Sequence, residues 1–310
     1  LRKDGEEVAG DQHALEVPIE KNVLCTTADT LSFTEEGEWI TIQGKDFIHK
    51  FHKTYGCLAD IDGLTAGMPE ISAWRAPTDN DIRIKHSWGY IDGDNQNGEN
   101  LNRTFHKVYS CVLDRNCITV EGSVSGVARK PFLRYTASYT FFDDGGIAVK
   151  LSGKIREKCI WLPRLGFVFH VPKSAATFRY FGMGPGETYC DLHHYAKMGM
   201  YESCAKDEYV PYIVPQEHGN HFCTKFLQMG NGLTFTADDT FEINVSEYTA
   251  QMLTEAMHTD ELVPAEDIQV RIDYKVSGIG SNSCGPELIE KYRLSEKEFS
   301  YGFRIDLGKE

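Results

Sequence analysis

Between Tyr180 and Tyr195 the chain reads YFGMGPGETYCDLHHY, and two carboxylates in it, Glu187 and Asp191, could do acid–base or nucleophilic work. Two acids flanking a scissile bond are what glycoside hydrolysis requires. The glycines at 182, 184 and 186 resemble a phosphate loop, but no lysine follows and Pro185 interrupts them, so no nucleotide fingerprint is met. A tight irregular turn built from them presents Glu187, Tyr189 and Asp191, which share one face if the segment is extended. An acid after such a turn more often accepts backbone N–H groups or pairs with arginine. The residues leave both roles open.

Other chemistry-bearing residues are sparse. His193 and His194 are adjacent, so on a strand they point to opposite faces. His218 and His221 in QEHGNH could share a metal only on a helix, and Gly219 argues against one. The stretch AWRAPTDNDI, 73–82, crowds Arg75, Asp79, Asn80 and Asp81 together, where neither a helix nor a regular strand gains from them. It lacks the alternate-position oxygens of a calcium loop, and an Asx-turn network paired with Arg75 is the expectation. No G-x-S-x-G elbow occurs, and Cys284 in GIGSNSCGPE has no neighbouring histidine to activate it. That loop, 278–286, is small and polar enough to edge a binding site or to be a plain surface turn. No metal site is expected.

The elements that must carry these residues are strands. Runs rich in β-branched and aromatic residues fall near 38–44, 46–51, 117–124, 133–142, 147–153, 165–171, 233–237, 241–248, 268–276 and 301–307. Many alternate apolar and polar residues with period two, and turn signals such as DDGG at 143–146 and GNG at 230–232 separate them. Helical periodicity is nearly absent; 248–257 and 286–292 are the short helix candidates. So many strands in a chain of 310 residues predict an all-β fold, a large antiparallel sandwich with few short helices. A net charge of −14 argues against binding nucleic acid or an anionic membrane, both of which need a basic face. Nine cysteines without a C-x-x-C pair read as free thiols in a reducing compartment.

Four motifs, WRAPTDND, YFGMGPGETYCD, YIVPQEHGNH and GIGSNSCGP, occur in this order and at separations that resemble the C-terminal domain of glycoside hydrolase family 2 β-galactosidases. The resemblance runs from about residue 22 to the end. The opening 1–21 is similar to the tail of a preceding immunoglobulin-like domain plus a linker, which makes the chain a piece of a longer protein. The family implies a galactose-mutarotase-like sandwich. It also implies a parent that hydrolyses terminal β-D-galactosides such as lactose with retention, through a covalent galactosyl-enzyme, using two glutamates with magnesium and sodium. Those groups belong to a catalytic barrel outside this chain, so no catalytic residue and no cofactor is expected within it. The implied partners are that barrel and the other domains of an oligomeric, bacterial cytoplasmic parent.

By the same resemblance the loop with Asn282, Ser283 and Cys284 touches the sugar, and Cys284 stands where the best-known members place a tryptophan. A thiol gives no flat apolar platform for a sugar ring, so aglycone preference is expected to differ. Arg75, Asp79, Asn80, Asp81, Glu187 and Glu217 are expected to form a structural signature. Two rival readings remain. A mutarotase-like epimerase needs a convergent acid/base pair from His170, His218, Glu187 and Glu217. A carbohydrate-binding module needs an exposed aromatic platform at Trp39, Trp88 or Trp161.

Overall fold

The computed structural model describes residues 2–4, 6–7, 10, 12–13, 25–91, 93 and 98–308. The reading of 1–21 as a domain tail and linker lies mostly outside these residues. Within them, β1 (Arg2–Lys3) and β2 (Glu6–Glu7) form a minimal antiparallel hairpin.

Alternation of side chains organises the rest. A four-stranded meander runs in sequence order through β3 (Ser32–Glu36), β4 (Trp39–Gln43), β5 (Ile48–His52) and β6 (Cys57–Ile61). Twelve strands build the main sheet. They are β7 (Gly67–Ser72), β8 (Thr104–Asp114), β9 (Cys117–Gly126), β10 (Leu133–Phe141), β11 (Ile147–Ile155) and β12 (Arg164–Val171), then β13 (Thr177–Gly184), β14 (Lys197–Cys204), β15 (Asn220–Met229), β16 (Thr234–Ser246), β17 (Ile268–Val276) and β18 (Glu298–Asp306). Every pairing is antiparallel. In β10 the residues Leu133, Tyr135, Ala137, Tyr139 and Phe141 turn inward by strict alternation, whereas central β12 is buried along almost its whole length.

The 13-residue strand β16 divides this sheet. Its first residues, Thr234–Ala237, pair with β18, and its last, Glu242–Ser246, pair with β17. One layer therefore continues as β18, β11, β10, β9 and β8, and the other as β17, β12 and β7. The two close on one aromatic core: Phe303 of β18 meets Phe167 and Phe169 of β12 at 5.9 and 6.3 Å between ring centres. The meander packs on the outer layer through Phe33–Phe141 and Phe51–Tyr139, at 6.1 and 5.1 Å. The expected all-β antiparallel sandwich is the fold.

Two expectations change. The runs 233–237 and 241–248 are one strand, because β15 pairs along one edge of both halves while the partner on the other edge switches. The segment 286–292 forms no α-helix; only a 3₁₀ turn closes at Glu290–Tyr292, with most of its side chains in water and no apolar stripe to bury. The helix expected at 248–257 is present as α2 (Ala250–Glu255), which follows a one-turn α1 (Lys85–Trp88) in the chain. The Thr249 hydroxyl caps α2 by accepting from the Met252 N–H at 3.1 Å. No helix among the described residues is long and apolar enough to cross a membrane.

Phe303 joins the two layers from a site 2% exposed. Phe303→Ala is expected to destabilise the chain by about 3–5 kcal/mol, read as a lower urea midpoint at an unchanged slope.

Candidate functional site

The chemistry-bearing motifs converge on the base of one loop. Arg75 follows β7 into a position with no exposure to water. Its Nε and Nη2 donate to the Asp81 carboxylate at 3.1 and 2.8 Å, Nη2 donates again to the Gly278 carbonyl at 3.1 Å, and Nη1 donates to the Ser277 carbonyl. Asp81 in turn accepts from the Thr78 N–H at 2.9 Å and the Thr78 hydroxyl at 3.1 Å, which closes a 3₁₀ turn at Asp79–Asp81. Asn80 donates its amide to the Ile279 carbonyl. Asp79 takes part only through its backbone N–H, which donates to Gln216 at 2.7 Å, while its side chain is exposed.

Asp191 completes the clamp from the other motif. Its carboxylate accepts from the N–H groups of Ile279 at 3.0 Å and Gly280 at 2.8 Å. Gly278 makes that approach possible, since a Cβ there would lie 2.5 Å from the carboxyl carbon. Ser277 is fixed as well: its hydroxyl donates to the Leu162 carbonyl and accepts from the Leu294 N–H, at 2.7 and 2.8 Å. The loop is thus held rigidly through residue 280. Beyond it Ser283 and Cys284 are exposed, and Asn282 is 7% exposed with a φ of +97° and a side-chain oxygen that has no hydrogen-bond partner among the described residues.

A second buried network stands behind the clamp. Arg164, with no exposure, donates to Asp273 through Nε at 3.0 Å and through Nη2, and to Glu217 through Nη1 at 2.7 Å. Burial works against its charge, but Asp273 and Glu217 hold its pKa above the ordinary value. Glu217 also links back to the first motif through its N–H, which donates to the Ala76 carbonyl at 3.2 Å. On neighbouring β16, burial pushes Glu242 up to about 8 even though the Val276 N–H and the Asn220 amide donate to it at 2.9 and 2.7 Å. Arg164, Asp273 and Glu242 went unnoticed in the sequence. Their signal was a charged residue at an inward position of an otherwise apolar strand run.

Glu187 and Asp191 each accept hydrogen bonds within the fold rather than facing each other as a pair of free carboxylates. Asp191 is committed to the loop, and Glu187 accepts from Tyr212, from Tyr189 at 3.3 Å and from the Gly219 N–H at 3.0 Å. The epimerase candidates have other partners, although the Gly219 N–H beside His218 donates to Glu187. His170 binds Asp267 at 3.0 Å, His218 binds the Gln216 carbonyl at 2.8 Å, and no hydrogen bond joins any two of His170, His218, Glu187 and Glu217. Of the three tryptophans weighed as a platform, Trp88 is fully buried, Trp161 packs on it at 4.7 Å, and Trp39 alone is 41% exposed. His193 and His194 do not diverge as expected: they lie in a turn rather than a strand, and their rings stack at 4.7 Å. No cluster of three or more His, Cys, Asp or Glu side chains among the described residues could hold a metal ion.

A family model described as the beta galactosidase small chain matches residues 43–305. A beta-galactosidase of Actinobacillus pleuropneumoniae is 34% identical over 288 residues, which are 90% of this chain and 28% of that protein. One of Staphylococcus xylosus is 33% identical over 237 residues, 75% of this chain and 23% of that protein. The chain thus spans less than a third of the length of these relatives. Among solved structures, a galactose 1-epimerase from Lactobacillus acidophilus is 8% identical, with a TM-score of 0.41 over 89% of this chain and 97% of that one.

Glu242 gives stability a pH dependence. Between the ordinary 4.5 and about 8 the folded chain keeps a proton that the unfolded chain has released, so stability falls as pH rises through that window. Glu242→Gln, which has no proton to lose, is expected to flatten the slope of urea-unfolding stability across the same range.

Proposed function

The chain belongs to the β-galactosidase small-chain family, and from that premise we propose that it is the noncatalytic sandwich of a retaining β-galactosidase, presenting the 278–286 loop to the sugar site of a catalytic barrel carried elsewhere in the parent. The observation that carries this reading is the clamp. Arg75, Asn80 and Asp191, from two motifs more than a hundred residues apart, all hydrogen-bond to the backbone of residues 277–280. A surface turn with no task has no need of three buried or half-buried side chains to fix its base. Rigid scaffolds with defined loops are how such sites are built.

In this reading hydrolysis of terminal β-D-galactosides such as lactose proceeds with retention, on two glutamates of the barrel held within about 5–5.5 Å of each other. Magnesium and sodium act there too; among the described residues of this chain no group of three or more His, Cys, Asp or Glu side chains could hold a metal ion. The chain's own task is to orient. The clamp fixes where the loop starts, and Asn282, Ser283 and Cys284 supply polar contacts to the bound galactoside. With a thiol in place of an aromatic platform, the acceptor side of the site is open to groups that do not stack. The parent's other domains are the partners, and an oligomeric, bacterial cytoplasmic parent is the setting.

Hydrolysis of a chromogenic β-galactoside is the test, with this chain alone and after mixing with a separately made fragment that holds the barrel. Activity is expected only in the mixture, and activity of the chain alone would sink the reading. Asp191→Ala should lower the mixture's activity by roughly ten- to a hundred-fold, because a loop misplaced by about 1 Å loses that much. Fragment association should stay as in the unmodified mixture.

A further inference from the structure

Where β16 changes partner, the sheet opens a cleft of about 570 Å³ that the proposed role does not use. The ladder between β16 and β18 stops at Ala237 and Phe303, and the ladder between β16 and β17 begins at Glu242 and Asp273. Residues 238–241 of β16, 300–302 of β18 and 274–275 of β17 line this gap, and none of them pairs with a strand across it. Backbone at a strand edge that faces no partner strand can offer donors and acceptors to a polar ligand.

The side chains around the gap narrow the ligand's chemistry. Asp238, Asp239 and Lys150 line it and make no hydrogen bond or ion pair among the described residues. Tyr274 adds a half-buried ring, propped by Phe299 at 5.3 Å and Tyr301 at 5.7 Å. Phe222 and Cys223 reach the cleft because β15 bulges there: its register with β16 shifts between His221 and Thr224, and Cys223 takes a φ of +56°. A bulge and a strained non-glycine residue are features that strands keep beside binding sites rather than in plain ladder.

An anion would meet the carboxylates of Asp238 and Asp239, and a cation would find no group of three His, Cys, Asp or Glu ligands among the described residues. A neutral molecule with several hydroxyls suits the mixture better, since hydroxyls donate to carboxylates and accept from lysine. One apolar face on that molecule would lie against Tyr274. The volume falls in the range of small-ligand sites. We propose that this cleft is a pyranose-binding site of the chain itself, in which Asp238, Asp239 and Lys150 hold the ring hydroxyls and Tyr274 carries its C–H face.

The test is titration of the whole chain with D-galactose and with D-glucose, followed by saturation-transfer NMR and calorimetry. Saturable binding of at least one sugar, with a Kd on the order of 1 mM, is expected. Asp239→Ala and Lys150→Ala, both exposed and so harmless to folding, should each weaken it by about tenfold. Cys284→Ala should leave it unchanged, which separates this site from the loop, and the mixing assay stands or falls independently. The proposal is overturned if neither sugar saturates, if the cleft variants bind as the unmodified chain does, or if calcium chloride binds the cleft and the sugars do not.

Discussion

A guanidinium that has lost all contact with water cannot shed its charge, so every arrangement around Arg75 has to keep its donors occupied. Asp81 takes two of them from six residues away, and the carbonyls of Ser277 and Gly278 take two more from about two hundred residues away. Ions buried in this way seldom add net stability, because apolar residues of the same volume could replace them without loss. What an apolar replacement could not do is dictate where two carbonyl oxygens sit. The clamp is therefore better understood as a device for position, and Arg164 with Asp273 and Glu217 repeats the device one layer deeper.

Much of the fold could be read from the sequence, because half-buried strands write their burial into alternate residues. The span 268–276 matches β17 at both ends, and 133–142 exceeds β10 by one residue. The failures share a cause. The strand β8, at the rim of the main sheet, leaves Phe105, Tyr109 and Val112 exposed, so its apolar residues do not mark one buried face. In β16 the exposed pair Asp238 and Asp239 falls between the runs 233–237 and 241–248, and it marks the point where one partner strand is exchanged for another. The 3₁₀ turn at Glu290–Tyr292 reads as helical from its composition, yet no residue in it is buried.

The site was legible in a different way. Arg75, Asn80 and Asp81 stood out because their types suit no regular element, and Asp191 because a glycine-rich turn presents it; the structure brings all four to one place. That they meet residues 277–280 could not be read from one sequence, since spacing along the chain says nothing about pairings this distant. Arg164 and Asp273 were hidden by their surroundings: in RLGFVFHV and IQVRIDYKV a charged residue reads as the solvent side of a strand, whereas both faces of β12 are covered. A charge is tolerated there because its opposite sits across the β12–β17 pairing.

The end of β17 ties the two regions together. Val276 donates its N–H to Glu242 at 2.9 Å beside the cleft, and the next residue, Ser277, offers its carbonyl to Arg75 and its hydroxyl to Leu162. One strand end thus serves as a cleft wall and as the root of the loop, and it is gripped from both sides. Each grip needs the other: if Glu242 released Val276, a buried N–H would lose its partner, and the strain would fall on the residues that Arg75 holds. Freedom to move begins only after Gly280, where side-chain clamping stops and the chain turns through the left-handed Asn282. Substitutions at the exposed residues Ser283 and Cys284 can change contacts without disturbing the core, whereas the same changes at 277–280 would be felt through two layers of the sandwich.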